Sequence, residues 1–275
     1  MTLKAAAIQM NSVDDVAANL REAERLLGEA ASAGAALAVL PENFAFMGAR
    51  DTAKLAHAEA EGSGPIQQLL SDSAKRLSMW IVGGTLPMAV PGRRDKVCAA
   101  SLVYDAQGQC VARYDKVHLF DVDVARDGAN ERYRESGSIE AGAPRIVVEP
   151  TPVGRLGLSV CYDLRFPELY RALTAQSAEI LCVPSAFTEK TGAAHWEILL
   201  RARAVENLCF VIAPGQCGTH PGGRRTWGHS MIVGPWGEIL AQRVAGEGVV
   251  IAQLDLEKQA AIRSSFPVLT HRRMD

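Results

Sequence analysis

Strands and helices alternate at both ends of this chain, and a run of hairpin-like strands fills its middle. Few architectures accommodate that order. In the N-terminal flank, apolar periodicity predicts a strand over 4–10, a helix over 14–33, a strand over 37–40 and a helix over 65–77 opened by Gly64-Pro65. Strands over 80–85, 97–104 and 110–114 follow, the last two joined by the turn Asp105-Ala-Gln-Gly108. A polar stretch, 121–143, is longer than an ordinary loop, so it is expected to be functional or loosely held. Strands over 145–148 and 154–160, a helix over 167–176 and a strand over 180–183 come next. The C-terminal flank reads as a helix over 193–206, strands over 209–213, 230–233, 237–240 and 249–254, and a short helix over 256–263. Trp196, Leu199, Leu200 and Ala204 share one face of the helix over 193–206. This is an α/β pattern of sheets sandwiched between helical layers. No shift in composition marks a linker, so 1–275 reads as a single domain.

Two strand ends echo one another. Leu37-Ala-Val-Leu-Pro-Glu-Asn-Phe44 and Ile180-Leu-Cys-Val-Pro-Ser-Ala-Phe187 each run from an apolar strand into a proline, two residues and a phenylalanine. The echo suggests that Glu42 and Ser185 occupy equivalent strand ends.

Charge and cysteine usage narrow the function. The 29 basic and 31 acidic side chains leave a formal charge of −2 with no dense Lys/Arg block, so neither nucleic acid nor an anionic membrane is an expected partner. No apolar run approaches the ~20 residues of a membrane span and the N-terminus lacks a signal-peptide pattern, which predicts a cytoplasmic address. The six cysteines show no C-x-x-C and no zinc spacing, so no metal is expected and they read as free thiols. Cys98, Cys182 and Cys209 lie in apolar runs and read as core. Cys217 sits in what reads as a polar loop.

Cys161 is different. It ends the strand over 154–160 and precedes a helix opened by Pro167, a geometry that presents a sulfur rather than burying it. Free backbone N–H groups at such a turn are expected to lower the thiol pKa and to bind a developing oxyanion. A thiol with a pKa of ~8.5 is only a few per cent thiolate at neutral pH, so a nucleophilic cysteine needs a base or a cation. Glu42, at the mouth of its strand, is a candidate base whose pKa desolvation is expected to raise. Lys116, just past the strand over 110–114, is a candidate cation. Taken singly, each has an ordinary reading as a solvated or structural residue; together they suggest chemistry.

Pro41-Glu-Asn43, Tyr114-Asp-Lys-Val-His-Leu-Phe-Asp121 and Val160-Cys-Tyr-Asp-Leu-Arg-Phe-Pro-Glu168 resemble, in order and spacing, the signature segments of the nitrilase superfamily of carbon–nitrogen hydrolases. That resemblance implies an α-β-β-α sandwich extended to αββα-αββα in a homodimer. It also implies a Glu42–Lys116–Cys161 triad, a second glutamate at Glu135, and thioester hydrolysis of a small linear carboxylate-bearing amide to acid and ammonia. No cofactor is required. The oxyanion would rest on Lys116 and the backbone N–H of Tyr162. The segments 194–204, 215–218 and 226–231 are similar to the branch acting on deaminated glutathione; omega-amidase action on 2-oxoglutaramate-type amides is the alternative. Arg165 is the natural clamp for a substrate carboxylate, with an ion pair to Glu168 or Asp163 as its competing reading. The same branch suggests Phe187 and Thr191 as pocket residues, against core packing for the first and a helix N-cap for the second. Two rival readings are a thiol–histidine hydrolase using His118, His195 or His229, and a catalytically silent binding protein.

Overall fold

The computed structural model describes residues 3–126 and 129–273. Two sheets lie face to face between helices α1 (Val16–Ser32), α2 (Pro65–Leu77), α3 (Pro167–Ala175), α4 (Glu189–Asn207) and α5 (Leu256–Ser265). The first sheet orders its strands Gly248–Leu254, Leu3–Gln9, Ala35–Val39, Trp80–Val82, Val97–Tyr104 and Leu86–Ala89, with Cys110–Asp115 also pairing with Val97–Tyr104. The second runs Ile239–Arg243, Ser230–Val233, Phe210–Ala213, Ile180–Cys182, Gly154–Leu158 and Val148–Thr151. This is the expected α-β-β-α sandwich. Among the described residues, no helix is long and apolar enough to cross a membrane.

Period-two alternation builds the layers. Ala5, Ala7, Leu37, Val39 and Val82 point into a core shared with Leu156, Leu158 and Ile212 of the second sheet. Their neighbours Ala6, Ile8, Ala38, Leu40 and Ile81 point the other way, against Leu26 and Leu27 of α1 and Ile66 and Leu70 of α2. Helices α3 and α4 cover the second sheet through Leu169, Leu173, Trp196 and Leu200. Local signals set the helix ends. Asp15 accepts from Ala18 N to cap α1, and Pro65 and Pro167 open α2 and α3, where no N–H is missed.

The structure corrects several sequence expectations. Within 121–143, the strands Asp121–Arg126 and Ala129–Arg134 form a hairpin followed by a short helical turn, Glu135–Gly137. The strand expected over 145–148 lies at Val148–Thr151, and Leu86–Ala89 is an additional strand. Helix α4 starts at Glu189 because Thr188 caps it. Cys217 is buried in the strand Cys217–Thr219, and Cys98 is half-buried, while Cys182 and Cys209 are core. The two echoing segments do occupy equivalent places: Ala35–Val39 and Ile180–Cys182 each sit between two parallel neighbours in their own sheets.

Candidate active site

The strand ends that follow Val39, Asp115 and Leu158 deliver Glu42, Lys116 and Cys161 to one cleft of about 510 Å³, counting its solvent-filled mouth. Lys116 Nζ stands 2.7 Å from Glu42 Oε1 and 2.9 and 2.8 Å from the two carboxylate oxygens of Glu135. Glu135 is fixed in turn by Phe120 N, which donates to Oε2 at 2.7 Å. Gln216 Nε2 donates to the Glu42 carbonyl at 3.1 Å, and Thr85 Oγ1 accepts from Asn43 N at 2.8 Å. The Cys161 thiol faces the same cleft as the Glu42 carboxylate, and each shifts the other's ionisation.

Two side chains here stand on left-handed backbone that non-glycine residues seldom adopt: Asn43 at φ 58° and Cys161 at φ 46°. The Cys161 turn is held by Asp163, whose buried carboxylate accepts from Val160 N at 2.8 Å, His118 N at 3.1 Å and Tyr114 Oη at 2.7 Å. His118 Nδ1 lies 2.6 Å from the same group. Tyr114 and His118 flank Lys116 by two residues on either side, so one carboxylate fixes where the lysine sits relative to the sulfur. Cys161 N donates to the Pro184 carbonyl at 2.9 Å, whereas the Tyr162 N–H meets no acceptor among the described residues.

The electrostatics differ from the sequence expectation at two groups. Burial alone pushes the Glu42 carboxyl up, but the Lys116 charge and hydrogen bond, with the Cys161 thiol, outweigh it and hold the group below the ordinary carboxylate range. Burial, and then the negative charge of Glu42, push the Cys161 thiol well above its ordinary value; Lys116 and the Ala186 N–H oppose this without prevailing. Burial pulls Lys116 down, yet Glu135 and Glu42 more than compensate and raise it. The resting site is therefore a neutral thiol beside an ionised carboxylate and an ammonium.

The remaining candidates also reach the cleft. Arg165, Phe187 and Thr191 line it together with Tyr162. Arg165 pairs with neither Glu168 nor Asp163; its guanidinium lies 5.6 Å from the ring centres of Tyr162 and Phe187. Thr191 is not the cap of α4: its N–H donates to Thr188 Oγ1, and the two hydroxyls are 2.8 Å apart. None of the three candidate histidines lines the cleft itself. His118 stacks on Phe166 at 3.7 Å, His229 on Trp227 at 4.1 Å, and His195 contacts Arg165. Lys54 and Arg224 also line the cleft, unforeseen from the sequence. Lys54 lies in the run Asp51-Thr-Ala-Lys-Leu-Ala-His57 and Arg224 stands beside Arg225, and no local pattern marks either as a cleft residue.

The carbon–nitrogen hydrolase family model matches residues 4–264, and the chain belongs to that family. A deaminated glutathione amidase of Yersinia enterocolitica is 44% identical over 268 residues, which are 98% of this chain and 92% of that protein. Among solved structures, the NitFhit protein of Caenorhabditis elegans aligns with a TM-score of 0.91 at 36% identity, covering 99% of this chain. This chain spans 65% of that longer one, slightly under two thirds. An amidase from Nesterenkonia sp., with acrylamide joined by Michael addition to its active-site cysteine, aligns with a TM-score of 0.79 at 27% identity, covering 96% of this chain and 98% of its own.

Proposed function

We propose that this chain is a thiol-dependent amidase that hydrolyses deaminated glutathione, with Cys161 as nucleophile, Glu42 as general base and acid, and Lys116 and Tyr162 N–H as oxyanion donors. The observation that carries the reading is a buried ammonium bridging two carboxylates at the floor of a cleft that also holds the thiol. Glu42, ionised at rest, takes the Cys161 proton as the sulfur attacks the amide carbon. Each well-placed donor to the oxyanion is worth roughly 2.7–4 kcal/mol. As the C–N bond breaks, Glu42 passes its proton to the leaving nitrogen. Water then gives a proton to Glu42 and its oxygen to the thioester, releasing the acid and restoring the thiol. Glu135 acts by orienting Lys116. Arg165, Phe187 and Thr191 are the substrate-binding residues.

The scissile amide of deaminated glutathione joins a 2-oxo diacid to cysteinylglycine, so for this substrate the amine set free is that dipeptide. Ammonia is the product from primary ω-amides such as 2-oxoglutaramate. The family resemblance also supports a homodimer, in which the exposed apolar side chains Ile198 and Trp236 would find cover; sedimentation of the purified chain tests it. Six free thiols suit a reducing compartment such as the cytoplasm. The deciding experiment follows 2-oxoglutarate and cysteinylglycine release by wild type, Cys161→Ala and Cys217→Ala. Turnover should vanish only in Cys161→Ala; retained turnover there, or an acyl adduct mapped to Cys217, overturns the proposal.

A further inference from the structure

Beyond the Lys116 ion pairs, three cations face the cleft: Lys54, Arg165 and Arg224. Among the described residues, none of the three has a carboxylate within ion-pair distance, although the surface elsewhere is rich in such pairs. They fall into two groups. Arg165 rises from the turn that begins at the thiol and lies over Tyr162 and Phe187, its Nη2 3.3 Å from His195 Nδ1. Lys54, on the helical turn Asp51–His57, and Arg224, which follows the turn Pro221–Gly223, form the second group and feel one another's charge.

Arg224 is held in an unusual state. Its guanidinium lies 5.3 Å from the Tyr133 ring centre, and among the described residues its Nη2 reaches only the Ala186 carbonyl, at 3.5 Å. Its Nε is shielded from solvent with no hydrogen-bond partner among the described residues. A shielded donor without an acceptor costs stability, and two cations brought together cost more. Among the described residues, apart from Glu42 and Glu135, which Lys116 occupies, Asp51 is the one carboxylate on the cleft wall, and it is exposed. Burial pulls the Lys54 ammonium below its ordinary range, and Arg224 adds to the pull while Glu135, Asp51 and Glu42 oppose it. An arriving anion would relieve both groups.

We propose that the cleft has two separate carboxylate-binding poles, Lys54 with Arg224 at one and Arg165 at the other, and so selects linear amides bearing a carboxylate on each side of the scissile bond. This deepens the amidase reading above and rests on it. Deaminated glutathione has that charge pattern, with the 2-oxo carboxylate on the acyl side and the glycine carboxylate on the amine side. 2-Oxoglutaramate fills one pole and leaves the other unpaired. Guanidinium and ammonium groups suit the task because a carboxylate accepts charge-assisted hydrogen bonds from both.

The test measures kcat and KM for wild type, Lys54→Met, Arg224→Gln and Arg165→Gln on three compounds. These are deaminated glutathione, its C-terminal carboxamide, and levulinoyl-cysteinylglycine, in which a methyl ketone replaces the 2-oxo acid. On deaminated glutathione each variant should raise KM about 10- to 100-fold, the range of one charged hydrogen bond, with a smaller change in kcat. The Lys54 and Arg224 penalties should shrink to about threefold or less on one capped compound, and the Arg165 penalty on the other. Penalties that persist on both capped compounds, or that vanish on the same one, overturn the two-pole assignment. Lys54→Arg keeps the charge and should recover most of the lost KM; no recovery means that packing rather than charge was lost, and also overturns it. A wild type that releases no cysteinylglycine from deaminated glutathione refutes the underlying amidase reading, an outcome distinct from active enzyme with indifferent poles.

Discussion

Replacing Lys116 with methionine should reverse the pH dependence of stability, because the same carboxylate that the lysine keeps ionised becomes a buried, unpaired charge. Lys116 is 2% exposed and Glu42 3% exposed, and their contact is 2.7 Å. Removing one partner of such a buried pair costs about 3–5 kcal/mol, here aggravated because Glu135 loses the same ammonium. In the wild type the folded Glu42 pKa lies below its unfolded value, so its contribution to stability is present above the unfolded value and is lost as pH falls through the folded one. In Lys116→Met, burial, the largest influence on this group, acts unopposed by the lysine and raises the folded pKa above the unfolded one. The sign then inverts: stability is greatest below the unfolded pKa and is lost as pH rises through the folded pKa. The slope per proton reaches at most about 1.4 kcal/mol per pH unit. Urea unfolding of both proteins at about pH 5.5 and pH 7.5 should therefore show the variant's deficit shrinking on acidification. Adding Glu42→Gln to Lys116→Met removes the stranded charge and should recover part of the loss at the higher pH. A deficit below about 1 kcal/mol at the higher pH, or one that grows on acidification, would refute the account of Glu42 as a carboxylate kept ionised by Lys116.

Three further outcomes follow from the same geometry. The acid limb of kcat/KM should fall below 4.5, the ordinary glutamate value, because Glu42 is the base and is held low by Lys116; a limb near pH 6–7 would point to a histidine base instead. Gly84→Ala should lower both stability, by about 1–3 kcal/mol, and kcat, measured by calorimetry and steady-state assay. Gly84 has φ +46°, and an added Cβ would stand 2.0 Å from the Pro41 carbonyl and 2.7 Å from that of Leu40, pushing on the strand end that carries Glu42. Tyr114→Phe should cost about 1–3 kcal/mol in urea unfolding by withdrawing the hydroxyl that Asp163 accepts at 2.7 Å; a neutral result would show that the remaining donors suffice.

What the sequence disclosed, and what it concealed, divides along physical lines. Strand periodicity decided the layers, since Ala5 and Ala7 face one core and Ala6 and Ile8 the other, and strand ends decided where Glu42, Lys116 and Cys161 emerge. The hairpin inside 121–143 was hidden because its strands carry exposed charge: Asp123 pairs with Arg132 and Arg134 in solvent, so no apolar alternation marks it. The pKa directions of Glu42 and Cys161 were misjudged for another reason. Each depends on the balance between burial and a charge supplied from far along the chain, 74 residues away for the Glu42–Lys116 contact. Lys54 and Arg224 gain their place only once the Asp51–His57 turn and the segment after Pro221–Gly223 reach the same cleft. Asp163 shows how structure and chemistry share one motif. In the string Val160-Cys-Tyr-Asp-Leu-Arg165 it reads as a candidate ion-pair partner of Arg165, yet it accepts from Val160, Tyr114 and His118 and so fixes the turn bearing the sulfur to the strand end bearing the lysine. His118 is drawn into that clasp, which explains why a histidine two residues from the lysine stands off the cleft wall.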